Sequence, residues 1–291
     1  MANIGIIGWG VVGQASGAGF AKDPKNKIFW FDKYKKGPNT FTQVIKKSEF
    51  IFICVPTPMF SDNSGIDLTI VREVVEKIAP KIRGTDKVLI IKSTVIPGTT
   101  IGFAKKYPKT LFAMNPEFLT EANAFEDFLN PDRTIIGALQ QSVAARLSTL
   151  YQNLFGPKAS IFLTDPTTAE MVKYMSNTYL ATKVIFANEM FDLCQSLGIK
   201  YEEVKKMVVA DKRIFDSHLD VTTLRGFGGK CFPKDTVALL GLFKKQKVDA
   251  GLLNTVWKKN LQTRKTRDWE EIDGAVRKKQ SPYCANYSDN Y

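Results

Sequence analysis

A single cysteine stands among residue types that suit covalent chemistry, in the run Gly226-Phe227-Gly228-Gly229-Lys230-Cys231-Phe232-Pro233-Lys234-Asp235. The glycines let other groups approach the backbone closely, and Pro233 predicts the first turn of a helix. A cysteine just before a helix N-terminus, with Lys234 nearby, is expected to have a lowered thiol pKa and thiolate character. Asp235 is placed to handle protons or water beside the sulfur. The run therefore predicts a nucleophile loop, against the alternative of a buried structural cysteine in a glycine-rich turn.

A second motif, Gly8-Trp9-Gly10-Val11-Val12-Gly13, directly follows a predicted strand and opens a predicted helix. In that context the glycines are the dinucleotide fingerprint, with the pyrophosphate on the helix N-terminus. Asp32 ends the next predicted strand, where a carboxylate binds both ribose hydroxyls and favours NAD over NADP. NADP stays an alternative because three basic residues close by can receive a 2′-phosphate: Lys33, Lys35 and Lys36.

The composition is that of a globular protein, with 44% hydrophobic and 24% charged residues in 291 positions, which allows about two domains. The formal charge of +12 suits anionic small molecules, and the chain shows no aromatic-interleaved basic motif of the kind that binds nucleic acid. No apolar run approaches the roughly 18 residues of a membrane helix. The spacing of the cysteines predicts neither a metal site nor a redox pair but reduced thiols in a cytoplasmic protein. These cysteines are Cys54, Cys194, Cys231 and Cys284.

Short apolar runs alternate with amphipathic segments over residues 1–165, which predicts a Rossmann-like, doubly wound parallel sheet covered by helices on both faces. The predicted strands are Asn3–Gly8, Lys27–Phe31, Phe50–Val55, Lys87–Ile91, Leu111–Met114 and Thr134–Gly137. The predicted helices are Val11–Lys22, Asp67–Ile82, Thr99–Lys106 and Gln141–Leu154.

Strand patterns stop after Asp165-Pro166, and apolar residues recur at helical spacing from Thr167 to Leu197. A helix of this length commonly links two domains or forms a dimer interface, so we expect a homodimer through it. Residues 166–262 are then an all-helical catalytic and dimerisation domain, and residues 263–291 a charged extension, helical over Thr263–Gln280, with a loose tail. The further helices lie near Tyr201–Val209, Lys234–Lys245 and Leu252–Gln262.

Six motifs and the cysteine loop, in this order, resemble the UDP-glucose dehydrogenase and GDP-mannose dehydrogenase family over about residues 3–262. The motifs are the Rossmann start, Val55-Pro56-Thr57-Pro58, Lys92-Ser93-Thr94-Val95-Ile96-Pro97-Gly98-Thr99, Asn115-Pro116-Glu117-Phe118-Leu119-Thr120-Glu121, Pro131-Asp132-Arg133, and Lys173-x-x-x-Asn177 with Asn188-Glu189. The resemblance implies a four-electron oxidation of the primary alcohol of a nucleotide sugar, most simply UDP-glucose, to a carboxylate with two NAD.

The resemblance also implies roles for the matching residues. Cys231 attacks an aldehyde intermediate and passes through a thiohemiacetal and a thioester. Lys173 stabilises the oxyanion, with Asn177 one turn along the same helix face, and Asp235 acts as the base, helped by Glu117 and Thr94. Cofactor contacts are expected from Gly8, Gly10, Val11, Val12, Gly13, Asp32, Thr57, Thr94 and Lys234. Substrate contacts are expected from Phe118, Leu119, Glu121, Lys173, Asn177, Arg213, Phe227 and Gly228.

The chain departs from the family pattern at several places. The stretch Asp32–Lys47 is shorter than usual, so one sheet strand is in doubt; Lys230 and Ala122 replace small residues; and no second Rossmann-like domain follows Gln262. Two alternatives therefore stay open. A two-electron hydroxyacid dehydrogenase of the 6-phosphogluconate type would not need the cysteine, and a degenerate NAD-binding oligomeric protein would need no chemistry at all.

Overall fold

The computed structural model describes residues 1–277 of the chain. The described part forms two compact units. The first comprises Met1–Thr57 and Leu68–Lys173, and the second comprises Pro58–Asp67 and the residues from Tyr174 onward. Within residues 1–277, no helix is both long enough and apolar enough to cross a bilayer.

A seven-stranded sheet forms the centre of the first unit. Its strands run in the order β2-β1-β3-β5-β6-β7-β8, and every neighbouring pair is parallel except β6 and β7, which are antiparallel. The central strands are buried along their whole length because helices cover both faces, which is why they read as unbroken apolar runs. The strands are β1 (Asn3–Ile7), β2 (Lys27–Phe31), β3 (Phe50–Ile53), β5 (Val88–Ile91), β6 (Leu111–Met114), β7 (Thr134–Ala138) and β8 (Ile161–Thr164).

Helices alternate with these strands and bury their apolar sides against the sheet. On one face, Phe20 contacts the rings of Phe52, Phe128 and Tyr151 in a single core cluster. The helices are α1 (Val11–Phe20), α2 (Phe41–Lys47), α3 (Thr69–Ile78), α4 (Thr99–Lys106), α5 (Ala124–Leu129) and α6 (Gln141–Phe155), with a 3-10 turn at Ala79–Ile82. The predicted α/β fold of the Rossmann type is confirmed.

Three elements of the first unit were not predicted from the sequence: α2, α5 and β8. The stretch between β2 and β3 holds only α2, capped by Thr40 and Gln43, so β2 is an edge strand beside β1. The chain therefore changes direction between β1 and β3, and the C-terminal ends of these two strands form the crevice where open α/β sheets bind dinucleotides. Strand β8 was missed because it is short and half exposed, with Phe162 55% and Leu163 52% accessible.

Helix α7 (Pro166–Ser196) is a single helix of 31 residues, close to the predicted Thr167–Leu197. Asp165 begins it by accepting the backbone N–H of Thr168 at 3.0 Å. One turn inside, the buried carboxylate of Glu170 accepts the N–H groups of Gly98 (2.6 Å) and Thr100 (2.8 Å) at the start of α4. Burial raises the pKa of Glu170 to about 7. The first part of α7 is thus fixed to the loop that follows β5.

The second unit is helical apart from one pair of two-residue strands. Tyr201 packs on Phe191 with its hydroxyl on the carbonyl of Leu219, and this contact belongs to a small core with Ala187 and Cys194. The helices are α8 (Tyr201–Val208), α9 (Phe232–Lys245) and α10 (Gly251–Thr263), and the strands β4 (Met59–Phe60) and β9 (Val276–Arg277) pair in parallel.

The helix predicted over Thr263–Gln280 is wrong where the structure describes it. Helix α10 ends at Thr263, a 3-10 turn follows at Asp268–Glu270, and β9 comes after Gly274, which has a left-handed φ of +69°. Trp269 is 2% exposed and lies against Trp257, so burial of this indole holds the segment against α10 and interrupts the helix. The predicted tail at Ser281–Tyr291 lies outside the described residues.

Candidate active site

The glycine turn after β1 has the geometry that a dinucleotide requires. Gly8 has a left-handed φ of +97°, and a Cβ on Gly13 would lie 2.0 Å from the carbonyl oxygen of Gly8. Around Gly10, by contrast, nothing lies within 4 Å of where a Cβ would be, so the backbone is open to a ligand. Val11 and Val12 begin α1, and the N-terminus of this helix faces a phosphate favourably.

Asp32 lies at the end of β2 beside this turn. Its carboxylate accepts the backbone N–H groups of Trp9 (2.7 Å), Tyr34 (2.8 Å) and Lys35 (3.1 Å). Burial opposes ionisation of Asp32, but these donors outweigh it and hold the pKa of the carboxyl below its ordinary value. The ammonium of Lys35 donates to the carbonyl of Trp9 at 2.9 Å. An ionised carboxylate with free lone pairs suits ribose hydroxyls, so the residues present fit NAD.

A buried cluster of charges in the first unit contains two of the predicted catalytic residues. The ammonium of Lys173 lies 3.0 Å from the carboxylate of Glu117, with 4% and 10% of the two side chains exposed. Glu117 also accepts the N–H of Leu119 at 2.7 Å. Burial alone would raise the pKa of Glu117, but Lys173 and this N–H hold it below its ordinary value. Glu117 therefore stays ionised, and the ammonium of Lys173 lies beside this carboxylate in a nearly dry environment.

Lys92 is a third charged member of this cluster that the sequence reasoning did not single out. Its ammonium donates to Asn115 Oδ1 at 2.9 Å, and Tyr151 donates to the same oxygen. Burial lowers the pKa of Lys92 to about 8, although Cys54 and Glu117 favour its charged form. The available signal was its place directly after a buried strand, where a lysine needs an anionic or polar partner.

The loop after β6 lines a cavity of about 240 Å³ in the first unit. Lys92 and Asn115 contribute to its lining, together with Glu117 and Phe118, and Arg133 lies over the Phe118 ring at 4.3 Å. Of the predicted substrate contacts on this loop, Phe118 and Leu119 are half-buried and Glu121 is exposed. Thr57 and Thr94, in the loops after β3 and β5, are 7% and 9% exposed.

A second cluster, in the second unit, contains Asn177, Lys234 and Asp235. Asp235 is fully buried, and its carboxylate accepts the amide of Asn177 at 2.6 Å and the ammonium of Lys234. Lys234 was predicted to contact the cofactor, but its ammonium is paired with the neighbouring carboxylate. The amide and the ammonium thus fix the Asp235 carboxylate.

Cys231 is the cap residue of α9, directly before Phe232, and its thiol is exposed. Cys54 and Cys194 are both buried. Burial raises the pKa of Cys54 to about 12, so this thiol stays protonated and unreactive. Of the three cysteines that the structure describes, only Cys231 is therefore open to a substrate.

Two predicted substrate residues lie in the loop that leads to Cys231, and a third lies elsewhere in the second unit. Phe227 is buried against Phe232 and Trp257, and Gly228 is half-buried in the same loop. Arg213 is 88% exposed and makes a bidentate ion pair with Asp211 in its own loop. Among residues 1–277, no group of three or more histidine, cysteine or acidic side chains is arranged to hold a metal ion.

Comparison with known proteins gives matches to both units. Residues 32–155 match the UDP-glucose/GDP-mannose dehydrogenase family, NAD binding domain, and residues 167–262 match the central domain of the same family. UDP-glucose 6-dehydrogenase of Rickettsia bellii is 38% identical over 224 residues, which are 76% of this chain and 51% of the relative. UDP-glucose 6-dehydrogenase TuaD of Bacillus subtilis is 33% identical over 84% of this chain and 59% of its own length. The chain thus spans about half the length of the curated relatives it matches.

Solved structures give the same result. A UDP-glucose dehydrogenase from Pyrobaculum islandicum superposes with a TM-score of 0.82 at 29% identity, over 90% of this chain and 68% of its own. The 3-hydroxyisobutyrate dehydrogenase of Mycobacterium tuberculosis has a TM-score of 0.72 at 14% identity, over 90% and 93% of the two chains. That second likeness shows a shared fold alone.

Proposed function

The chain belongs to the UDP-glucose/GDP-mannose dehydrogenase family, and on that premise we propose that it oxidises the primary alcohol of a nucleotide sugar to a carboxylate. UDP-glucose is the first substrate to test because the R. bellii and B. subtilis relatives are named for it. The observation that carries the proposal is the exposed thiol of Cys231 at the N-terminus of α9, one turn before the buried carboxylate of Asp235. A nucleophile followed by a fixed acid–base group is what a covalent oxidation needs and a simple alcohol oxidation does not.

Residues 8–13 and Asp32 would hold the cofactor by its pyrophosphate and ribose. NAD, when bound, accepts one hydride in each of the two oxidations. In the first oxidation the substrate hydroxyl gives its proton to water, and the ammonium of Lys173 stabilises the resulting alkoxide, which becomes the aldehyde when the hydride leaves. Glu117 keeps Lys173 charged and in place, since the two are 3.0 Å apart and nearly dry. Phe118 and Leu119 contribute to the half-buried loop that would face the sugar.

The thiolate of Cys231 then attacks the aldehyde carbon and forms a thiohemiacetal. The second oxidation converts this adduct to a thioester, and water cleaves the thioester to give the carboxylate and the free thiol. Asp235 is suited to take the proton of that water because its carboxylate is held by Asn177 and Lys234. We also assign the hydroxyl of Thr94, which is 9% exposed in the loop after β5, to the proton transfers of the reaction.

The stoichiometry of NADH formation tests the proposal. We expect two NADH for each UDP-glucose consumed and a carboxylate product detectable by mass spectrometry. One NADH per substrate, with an aldehyde or ketone product, would instead indicate the two-electron hydroxyacid reaction. NAD binding without turnover on any UDP- or GDP-sugar would indicate the non-catalytic alternative and would contradict the proposal.

We further propose that two copies of the chain associate through α7. Its exposed apolar residues recur at intervals of four and seven positions, so they form one stripe along the helix. The stripe consists of Met171, Met175, Tyr179, Phe186 and Leu193, which are 37–67% exposed. Stripes of this kind on soluble proteins mark contact surfaces, and a helix of 31 residues is long enough to pair with its own copy. We therefore propose a homodimer, and we propose a cytoplasmic location because the spacing of the cysteines predicts reduced thiols.

Charged substitutions in this stripe are expected to dissociate the dimer. Placing Glu at Tyr179 and Phe186, which are 64% and 57% exposed, buries two carboxylates in the proposed interface. We expect sedimentation equilibrium to show a dimer for the wild type and a monomer for Tyr179→Glu/Phe186→Glu. Phe162→Glu is the matched control, because Phe162 is 55% exposed on β8 and off the stripe. A wild-type monomer, or a dimer that survives the double substitution, would contradict this interface.

A further inference from the structure

The loop before Cys231 has a backbone conformation that is unfavourable without support from other parts of the structure. Arg225, Gly226 and Gly229 all have left-handed φ values, of +58°, +48° and +70°. For Arg225 this conformation is unfavourable, and glycines lose more freedom on ordering than other residues do. Something outside the loop must therefore fix it if the thiol at its end is to have one position.

Asn260, on α10, lies against one side of this loop. Its Oδ1 accepts the N–H of Phe227 at 2.7 Å, and its Nδ2 donates to the carbonyl of Phe227 at 3.0 Å. The side-chain amide therefore pairs with the Phe227 peptide groups as a neighbouring β-strand would. Asn260 is fully buried, so its amide is matched by this loop rather than by water. A Cβ on Gly226 would lie 2.5 Å from Asn260 Oδ1, which shows how close the contact is.

Asn188, on α7, also binds this loop. Its Oδ1 accepts both Arg225 Nε at 2.7 Å and the N–H of Gly226 at 3.1 Å, and only 1% of the residue is exposed. One turn further along the same helix, Asp192 accepts the Arg225 guanidinium at 2.6 Å. The left-handed conformation at Arg225 is thus held by two acceptors on one face of α7.

Two residues that follow Asn260 along the chain, Arg264 and Asp268, bind the same loop. Arg264 donates to the carbonyl of Arg225 at 3.0 Å and pairs with Asp268, whose other oxygen accepts the N–H of Gly229 at 2.9 Å. A Cβ on Gly228 would lie 2.3 Å from both Arg264 Nη2 and Asp268 Oδ1. The loop is thus bonded to side chains at Arg225, Gly226, Phe227 and Gly229 before the chain enters α9.

We infer that Asn260 and Asn188 are positioning residues for the nucleophile, which fix the loop of residues 225–229 and through it the place of the Cys231 thiol at the start of α9. The inference rests on the nucleophilic role proposed for Cys231. It assigns the two amides no contact with substrate or cofactor. Their effect is transmitted through the backbone: when the loop is released, the thiol leaves the field of the helix N-terminus, which favours the thiolate.

The rate at which iodoacetamide alkylates Cys231 tests this inference without any turnover. The assay uses the full chain in a Cys284→Ser background, with Cys231→Ser identifying the thiol that reacts, and it is run well below the unfolding temperature. We expect Asn260→Ala to slow alkylation at pH 7 and kcat by about tenfold each, as the loss of buried hydrogen bonds without any change of charge implies, with KM for NAD unchanged. Asn254→Ala is the matched control, since Asn254 lies exposed on the same helix and should alter neither rate.

Asn188→Ala provides an independent test from a different helix, and it decides the matter if Asn260→Ala does not fold. Folded variants of either residue with a wild-type alkylation rate would overturn the inference, because the loss of a purely stabilising amide lowers the melting temperature and leaves the reactivity of the thiol unchanged. If alkylation slows in the variants while the wild type oxidises no nucleotide sugar, the inference stands and the proposed reaction fails.

Discussion

Replacing Cys231 with serine is expected to reduce carboxylate formation from UDP-glucose by at least about 10³-fold while NAD binding is unchanged. Serine fills the same space at the cap of α9, but its hydroxyl is not ionised at neutral pH and cannot capture the aldehyde as a thiolate does. The thiol is exposed, so the substitution leaves no cavity in the core. Initial rates of NADH formation, with cofactor binding measured by calorimetry, check both parts of the prediction.

Cys194→Ser is the control for loss of a thiol as such, because Cys194 is buried in the small core around Tyr201. This variant is expected to lose some stability and keep its turnover. A Cys231→Ser enzyme that still produced two NADH per sugar would rule out the covalent route. A Cys231→Ser enzyme with full activity but one NADH per substrate would favour the hydroxyacid reaction.

Replacing Lys173 with methionine is the second substitution with a large expected effect, a fall in kcat of about 10²- to 10³-fold. Methionine keeps most of the buried stem and removes the charge that we assign to the alkoxide. Lys183→Met is the matched control, since Lys183 lies on the same helix and its ammonium is exposed on the carbonyl of Phe215. A Lys173→Met enzyme with wild-type kcat would contradict the assignment.

The Lys173→Met substitution also leaves Glu117 as a buried carboxylate without its ammonium partner. The effect on stability can therefore be measured separately from the effect on catalysis. In the wild type the lowered pKa of Glu117 gives stability that is fully present above the ordinary carboxyl pKa and is lost on acidification. Without Lys173 the pKa of Glu117 rises, and the variant loses about 3–5 kcal/mol of stability at neutral pH. Glu117→Gln added to Lys173→Met should restore much of the unfolding free energy but not the rate. Recovery of the rate in the double variant would show that the pair is only structural.

The sequence predicted the elements whose signal is local. Unbroken apolar runs such as Phe50–Ile53 reveal central strands, because those strands are covered on both faces. The glycine turn after β1 and the long helix α7 were predicted because the glycine spacing and the helical periodicity each lie within one continuous stretch of sequence. Helices α2 and α5 were missed because they have only seven and six residues, and strand β8 because it is short and half exposed. The helical prediction after Thr263 failed because a distant partner, Trp257, determines where Trp269 lies.

The candidate site divides in a similar way. Cys231 and Asp235 could be predicted from the sequence because the reactive residues and the start of the helix lie within one short run. Lys173 and Asn177 could be predicted because they are one helical turn apart. That Glu117 meets Lys173, or that Asn177 meets Asp235, is a tertiary fact that no spacing contains. The role of Asn260 could not be predicted at all, because nothing in the sequence of its helix indicates that this asparagine binds the loop at Phe227.

The short strand pair of the second unit has a consequence for how the protein is made. Strand β4 at Met59–Phe60 has its partner in β9 at Val276–Arg277, and Asp67 pairs with Arg277 across 210 positions of sequence. On the ribosome, the segment around β4 emerges early, but the backbone N–H groups of Met59 and Ser61 gain their partners, the carbonyls of Ala275 and Arg277, only when almost the whole described chain has been synthesised. Completion of this unit is therefore necessarily late in translation, and its closure is a step of high contact order that is expected to be slow.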